Sequence, residues 1–330
     1  MLSLWASAAL AIDGPLHGGA ANALGAIWAL TLFVLAWRVR PAGRMLGAVL
    51  LLNLLVVGWW LGIGARNDRH WVPEVEKLAE VQADGDQIVV RNVRNFEYRS
   101  ETDFTRHWEE RTYDLSKITG VDLFLSEWGA PMIAHTIMSW EFSDGRHLAI
   151  SIETRKEVGE GYSALLGFFR QFELYYVVAD ERDVVGVRTN HRGEDVHVYR
   201  LGGTPDMARK MLVDYISSIN DLRPQPDWYN ALTHNCTTSI WRHARHIGGR
   251  TDWDWRILMN GTADAMLYQR GTLDTSLPFE DLRALSDITG TAQNAGDAEN
   301  FSEVIRRGLP RMGGPGASGT APGASKGSAH

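Results

Sequence analysis

The spacing of apolar positions divides the chain into three parts. Ala20–Trp37 and Met45–Gly64 are almost continuously apolar and contain no charged residue. A helix of about 20 residues covers the ~30 Å hydrocarbon layer of a bilayer and satisfies its own backbone there. A buried hairpin of a soluble protein would keep a polar outer face, and Leu50-Leu51-Leu52 and Leu54-Leu55-Val56-Val57 leave no room for one. The pattern predicts two spans, about 20–37 and 45–64, in a membrane anchor covering residues 1–65, with Gly47, Gly58, Gly62 and Asn53 suited to close helix packing. Arg38, Arg40 and Arg44 sit between the spans, and no Lys or Arg precedes the first. That asymmetry places the connection in the cytoplasm and everything after the second span outside it. Met1–Ile12 is apolar but short and lacks the basic start of a cleavable signal, which predicts an interfacial or partly inserted segment.

From residue 66 the pattern changes to short β-like runs followed by amphipathic helices, which predicts one α+β domain over 66–308. The runs are Ile88-Val89-Val90 with Val93 and Phe96, Val121–Leu125, Leu174–Val178, Val184–Val187 and Val196–Tyr199. A hairpin joins Ile133–Phe142 to His147–Thr154 through Ser143-Asp144-Gly145-Arg146, because Asp-Gly supplies the positive φ of a tight turn. These make a sheet of about five or six strands. Thr204-Pro205-Asp206 opens a helix with Met207, Met211, Leu212, Tyr215, Ile216, Ile219 and Leu222 on one stripe. A second helix begins around Asn235, and Ala263–Gln269 and Ser302–Arg307 read as helical. Residues 309–330 are dominated by Gly, Ala, Ser and Pro, a composition too poor in apolar surface to fold, so a disordered tail is expected.

Charge and cysteine content exclude some functions. The 330 residues hold 33 Lys+Arg against 40 Asp+Glu, a net charge of −7, with no long basic run, which argues against nucleic acid as a partner. With a single cysteine, neither an internal disulfide nor a cysteine-rich zinc site is possible. Cys236 is therefore an inert buried thiol or a reactive one. Its neighbours in Thr233-His234-Asn235-Cys236-Thr237-Thr238-Ser239 are polar, and an amphipathic helix follows. In a first helical turn the uncapped amides and the dipole favour thiolate and offer donors to an oxyanion, with Asn235 and Thr237 as supporting residues. A thiol nucleophile needs a base near in space, and His135, at the start of a predicted strand, can point off the sheet edge toward a helix. A tight turn at Asp144-Gly145 pairs His135 with Thr154. A one-residue bulge brings Glu153 or Arg155 opposite it instead. Glu153 is the candidate to orient the imidazole, Ser151 supports the site, and Arg155 and Lys156 are candidates to meet a phosphate head group. His234, His243 and His246 lack the acid or second cysteine that a metal set needs, and no metal ligands are assigned.

The motifs Asn92–Ser100, Ser151–Glu157, Asp180-Glu181-Arg182-Asp183 and Trp228–Thr238 resemble the Lnb N-terminal periplasmic domain family, over about Asn67–Leu282. An early strand histidine followed by a late Asn-Cys at a helix start also resembles circularly permuted members of the NlpC/P60 and lecithin:retinol acyltransferase superfamily. The resemblance implies a circularly permuted papain-like fold, Cys236 as nucleophile and His135 as base. It further implies N-acylation of a bacterial lipoprotein, with a phospholipid as acyl donor, at the inner membrane. Ester-to-amide exchange through a thioester needs no cofactor. A peptidoglycan amidase or endopeptidase using the same pair, and a non-enzymatic envelope module, are the alternatives.

Overall fold

The computed structural model describes residues 1–129, 132–249 and 252–310. Three apolar helices come first: α1 (Leu2–Ile12), α2 (Gly19–Arg38) and α3 (Ala42–Leu61). The latter two are long and apolar enough to cross a membrane. Their side chains face outward, with Leu30, Phe33, Leu46 and Leu55 61, 69, 65 and 62% exposed, as lipid-facing residues are and core residues are not. The short N-terminal segment is itself a helix packed on both spans. Asn53 is buried and its Nδ2 donates to Ser3 Oγ at 3.1 Å. The close approach expected at Gly47 and Gly58 occurs instead at Gly25, where an added Cβ would lie 2.7 Å from the Ser7 carbonyl oxygen, while Gly47 and Gly58 face no neighbour within 4 Å.

The chain after α3 forms an α+β domain. Its strands are β1 (Glu80–Asp84), β2 (Gln87–Arg94), β3 (Glu97–Tyr98), β4 (Phe104–Thr105), β5 (Trp108–Asp114), β6 (Ile118–Glu127), β7 (Ala134–Phe142), β8 (His147–Arg155), β9 (Glu173–Ala179) and β10 (Asp195–Arg200). Eight form a mixed sheet in the order β1-β2-β9-β8-β7-β6-β10, with β5 also paired to β2, and β3 and β4 form a separate ribbon. The sheet is larger than predicted because β1 is polar at three of five positions and β5 charged at four of seven, so their apolar alternation is hidden. The β7–β8 turn forms at Asp144-Gly145, with Gly145 at φ 83°.

Two layers cover the sheet. On one face α5 (Pro205–Asp221), capped by Thr204, packs Met211, Leu212, Tyr215 and Ile219 onto Met138, Trp140 and Ile150. The Trp140 indole donates to the Ala208 carbonyl at 2.8 Å. Helix α6 (Cys236–His246) lies on this face as well, and α7 (Ala263–Gln269) and α8 (Phe279–Ser286) follow. The other face buries Phe124, Ile137 and Val177 under α4 (Glu181–Val184), α9 (Thr289–Ala295) and α10 (Phe301–Val304). The Val184–Val187 run, expected as a strand, instead starts in α4. Asp180 caps that helix by accepting from the Arg182 amide, and buried Asp183 ties it to Arg94 at 2.7 Å, so Val184 and Val185 reach the core from a helical turn. Ser302–Arg307 is helical only through Val304. Leu309 still packs against the core, and the tail expected from 309 lies outside the described residues from 311 on.

The domain packs on the ends of the apolar helices. Asp13, just beyond α1, accepts from the Trp60 indole at 2.6 Å, from the Gln171 side chain at 2.8 Å and from the Arg170 amide at 3.2 Å. The Ile63 carbonyl, just beyond α3, accepts from Trp228 Nε1 at 2.9 Å and from the Arg170 guanidinium. Buried ion pairs lock the domain itself: Arg94 with Asp183, and Arg306 with Glu181 and Asp122. Removing one partner of such a pair leaves an uncompensated buried charge. Arg94→Met is therefore expected to lower domain stability by about 3–5 kcal/mol in chemical denaturation, and the double change Arg94→Met/Asp183→Leu to recover most of that loss.

Candidate active site

Cys236 is the first residue of α6. Asn235 caps the helix: its Oδ1 accepts from the Thr238 amide at 2.8 Å, and Thr238 Oγ1 accepts from the Asn235 amide at 3.0 Å. Asn235 Nδ2 reaches back to the Ala231 carbonyl at 2.7 Å, and the Ala231 amide donates to Gly167. The Asn235 side chain is thus used in holding the turn, not in facing the sulfur. The cap takes the amides of Thr238 and Ser239 and leaves those of Cys236 and Thr237 at the positive end of the helix. Cys236 is 5% exposed, with Thr237 Oγ1 3.8 Å from its sulfur.

His135 is the second residue of β7, paired with Ser126 of β6. It shares a sheet face with Ser151 and Glu153. Its place at the strand end brings the ring close enough to the sulfur to lower the pKa of the thiol. The β7–β8 ladder pairs Ile137 with Ser151 and Met138 with Ile150, one residue off the expected register, so Thr154 does not face His135. The neighbours of the imidazole are instead Ser151 Oγ at 2.6 Å from Nε2 and Glu153 Oε1 at 3.6 Å. Ser151 Oγ donates its one proton to Glu153 Oε1 at 2.8 Å. It therefore accepts from His135, so Nε2 carries a hydrogen and Nδ1 is left to exchange a proton with the thiol. Arg188 Nη2 bonds the same Glu153 oxygen at 3.1 Å, and its Nη1 bonds Glu194 at 3.0 Å.

These contacts set the ionisation of the site. Burial pushes the Cys236 thiol up, but the hydrogen bond and charge of His135, with the hydroxyl and amide of Thr136, outweigh it and bring the pKa down to about 6. Burial likewise opposes ionisation of Glu153, and the charges of Arg188 and His135 more than reverse that, holding the carboxylate well below its ordinary range. For Tyr162 and Tyr229, burial and then the charge on the sulfur both raise the pKa, so these hydroxyls remain protonated donors beside the thiol. At neutral pH the thiolate faces an imidazole whose Nε2 hydrogen is held by Ser151, which leaves Nδ1 to carry the proton into and out of the site, the requirements for nucleophilic attack followed by proton return.

Asn260 was not foreseen. Its Nδ2 donates to Cys236 Sγ at 3.3 Å while its Oδ1 accepts from the Ala134 amide at 2.9 Å, which fixes the orientation of the side chain. It lies in a 3-10 turn 24 positions past the cysteine, and no spacing pattern links the two. Arg155 does not join the site. Its guanidinium is buried, bonded to the Val75 and Glu76 carbonyls and Asn67 and stacked on Trp71, so it is closed to a head group. Lys156 is half-buried just past β8. His243 is held by Asp214 at 2.6 Å and Tyr176 at 3.0 Å, and His246 by Asp214 at 3.3 Å. Among the described residues no cluster of three or more His, Cys, Asp or Glu side chains could hold a metal.

Residues 104–261, which contain both His135 and Cys236, match the model of the Lnb N-terminal periplasmic domain family. The match covers just under half of the chain. The Lnb-type domain thus spans β4 to the turn that carries Asn260, and the two apolar helices before it are consistent with a membrane protein. No curated protein and no solved structure matches the chain. Alkylation of Cys236 by iodoacetamide measures the thiolate directly. The rate is expected to rise with pH and reach half its maximum near pH 6, because the thiolate is populated above the depressed pKa. His135→Ala removes the main opposition to burial and is expected to move that midpoint above the ordinary thiol value.

Proposed function

We propose that the protein is a membrane-anchored cysteine acyltransferase that moves an acyl chain from a phospholipid to the N-terminal amine of a bacterial lipoprotein. The observation that carries this reading is the buried Cys236–His135 pair in a domain seated on the outer ends of its own membrane helices. Loop residues Tyr162, Leu165 and Phe168 are 55, 65 and 38% exposed. The loop runs from Tyr162, near the sulfur, to Arg170, at the ends of α1 and α3. This supports a site opening at the bilayer surface, where both substrates reside, and so a high effective concentration. The strand histidine preceding the helix cysteine supports a circularly permuted papain-like arrangement, and the Arg38–Arg44 cluster supports a two-span inner-membrane topology with the domain in the periplasm.

In this reading the Cys236 thiolate attacks the ester carbonyl of the phospholipid. The developing oxyanion takes hydrogen bonds from Asn260 Nδ2 and the first-turn amides of α6. As the carbon–oxygen bond breaks, His135 gives its proton to the leaving lysophospholipid oxygen, and a thioester remains on Cys236. The free α-amine of the lipoprotein's diacylglyceryl-cysteine then attacks the thioester. His135 takes the amine proton, the amide forms and the thiolate returns. Ser151 and Glu153 are positioning residues that fix the imidazole tautomer, as Arg188 fixes Glu153.

In cells that depend on this protein, Cys236→Ala is expected to abolish N-terminal acylation of lipoproteins, read by mass spectrometry of their N-terminal peptides. Unchanged triacylation would overturn the proposal, and release of soluble muropeptides would point to a peptidoglycan hydrolase instead. With purified protein in phospholipid vesicles, Asn260→Ala is expected to slow turnover by about 10²-fold, the usual cost of losing one oxyanion donor.

A further inference from the structure

A cavity of about 310 Å³ lies next to residues that flank Cys236 and His135. Thr136, next to His135, and Thr237, whose Oγ1 lies 3.8 Å from the sulfur, are among its lining residues. Beyond them the wall is mostly apolar, with Leu123, Met138, Met211, Ile240, Ala244 and Met266 prominent and Thr204, Thr272 and Arg270 its polar members. The space lies between the sheet and helices α5, α6 and α7, away from the His135–Ser151–Glu153 chain on the opposite sheet face.

A lined apolar space of this size needs an occupant. Water finds too few polar partners there, and apolar cavities accept apolar ligands. A cavity of roughly 150 Å³ takes a six-carbon ring, so by proportion this one takes on the order of a dozen carbons. Met138, Met211 and Met266 give walls that adapt to a flexible chain. The threonines at the sulfur end would leave a carbonyl carbon at the thiol with its chain running inward. We propose that this cavity receives the alkyl chain of the acyl group carried on Cys236 and sets the chain length the site accepts. The inference rests on the acyl-transfer reading for the nature of the chain, and its test does not.

Alkyl methanethiosulfonates from methyl to hexadecyl provide the probe. The thiolate attacks the sulfenyl sulfur, methanesulfinate leaves, and Cys236 carries an alkyl disulfide, so the reaction reports chain seating without any ester chemistry. The full-length protein in detergent has no other cysteine to react. Each methylene moved from water to the cavity is worth about fourfold in rate. The dodecyl-to-methyl rate ratio, divided by the same ratio for glutathione in the same detergent, is expected to exceed about 100, with the gain levelling off at about a dozen carbons. Ala244→Trp and Ile240→Trp, which fill the cavity from α6, are each expected to cut the normalised ratio at least tenfold. The methyl rate measured in each variant corrects for any change in the thiol or in folding. A normalised ratio near one, or the same ratio in both variants as in the unaltered protein, overturns the proposal. If the ratio behaves as expected but lipoprotein acylation survives Cys236→Ala, the chain site stands and the acyltransferase reading falls.

Discussion

The chemistry of the site depends on one proton, the hydroxyl hydrogen of Ser151. Because that proton goes to Glu153, Ser151 must accept from His135 Nε2, and the nitrogen toward Cys236 is left free to give and take a proton. Arg188 and the local positive charge keep Glu153 ionised, so the direction of the chain does not reverse. The same chain explains how a cysteine buried to 5% exposure is acidic when burial alone would make it a poor acid. Asn260 adds a donor to the thiolate that a merely packed cysteine would not require.

Local geometry places this pair in a domain docked on the ends of the apolar helices. The cap at Asn235 fixes the start of α6, the end of β7 fixes His135, and the intervening sheet is stiffened by buried ion pairs at Arg94 and Arg306. The docking of Arg170, Gln171 and Trp228 onto Asp13 and Ile63 then sets the height of the domain over its anchor. Asp13 is the one acidic residue before Asp68, and its position between α1 and the domain explains why an otherwise apolar leader carries a carboxylate.

Much of this was legible in the sequence, and the failures have physical causes. The spans, the caps of α5 and α6 and the hairpin turn follow from local rules, so Thr204, Asn235 and Asp144-Gly145 marked them correctly. Register is harder: a shift of one residue changes which side chain faces His135, and turn chemistry does not fix it to that accuracy. Arg155 was misjudged because a charge-rich run reads as solvated surface, whereas here its guanidinium fills a buried cage of carbonyls and Trp71. Val184–Val187 looked like a strand because burial, not periodicity, set its composition. Asn260 and Arg188 come from distant turns, and only tertiary structure brings them to the sulfur and to Glu153.

The central claim is that the Cys236 thiolate accepts an acyl group. Intact-protein mass spectrometry after incubating the full chain with phosphatidylethanolamine vesicles tests it most directly. The account requires a single acyl adduct on Cys236 that hydroxylamine removes, and no adduct when His135 is replaced by alanine. An unmodified thiol under conditions in which the cysteine is shown to be ionised and accessible would contradict it.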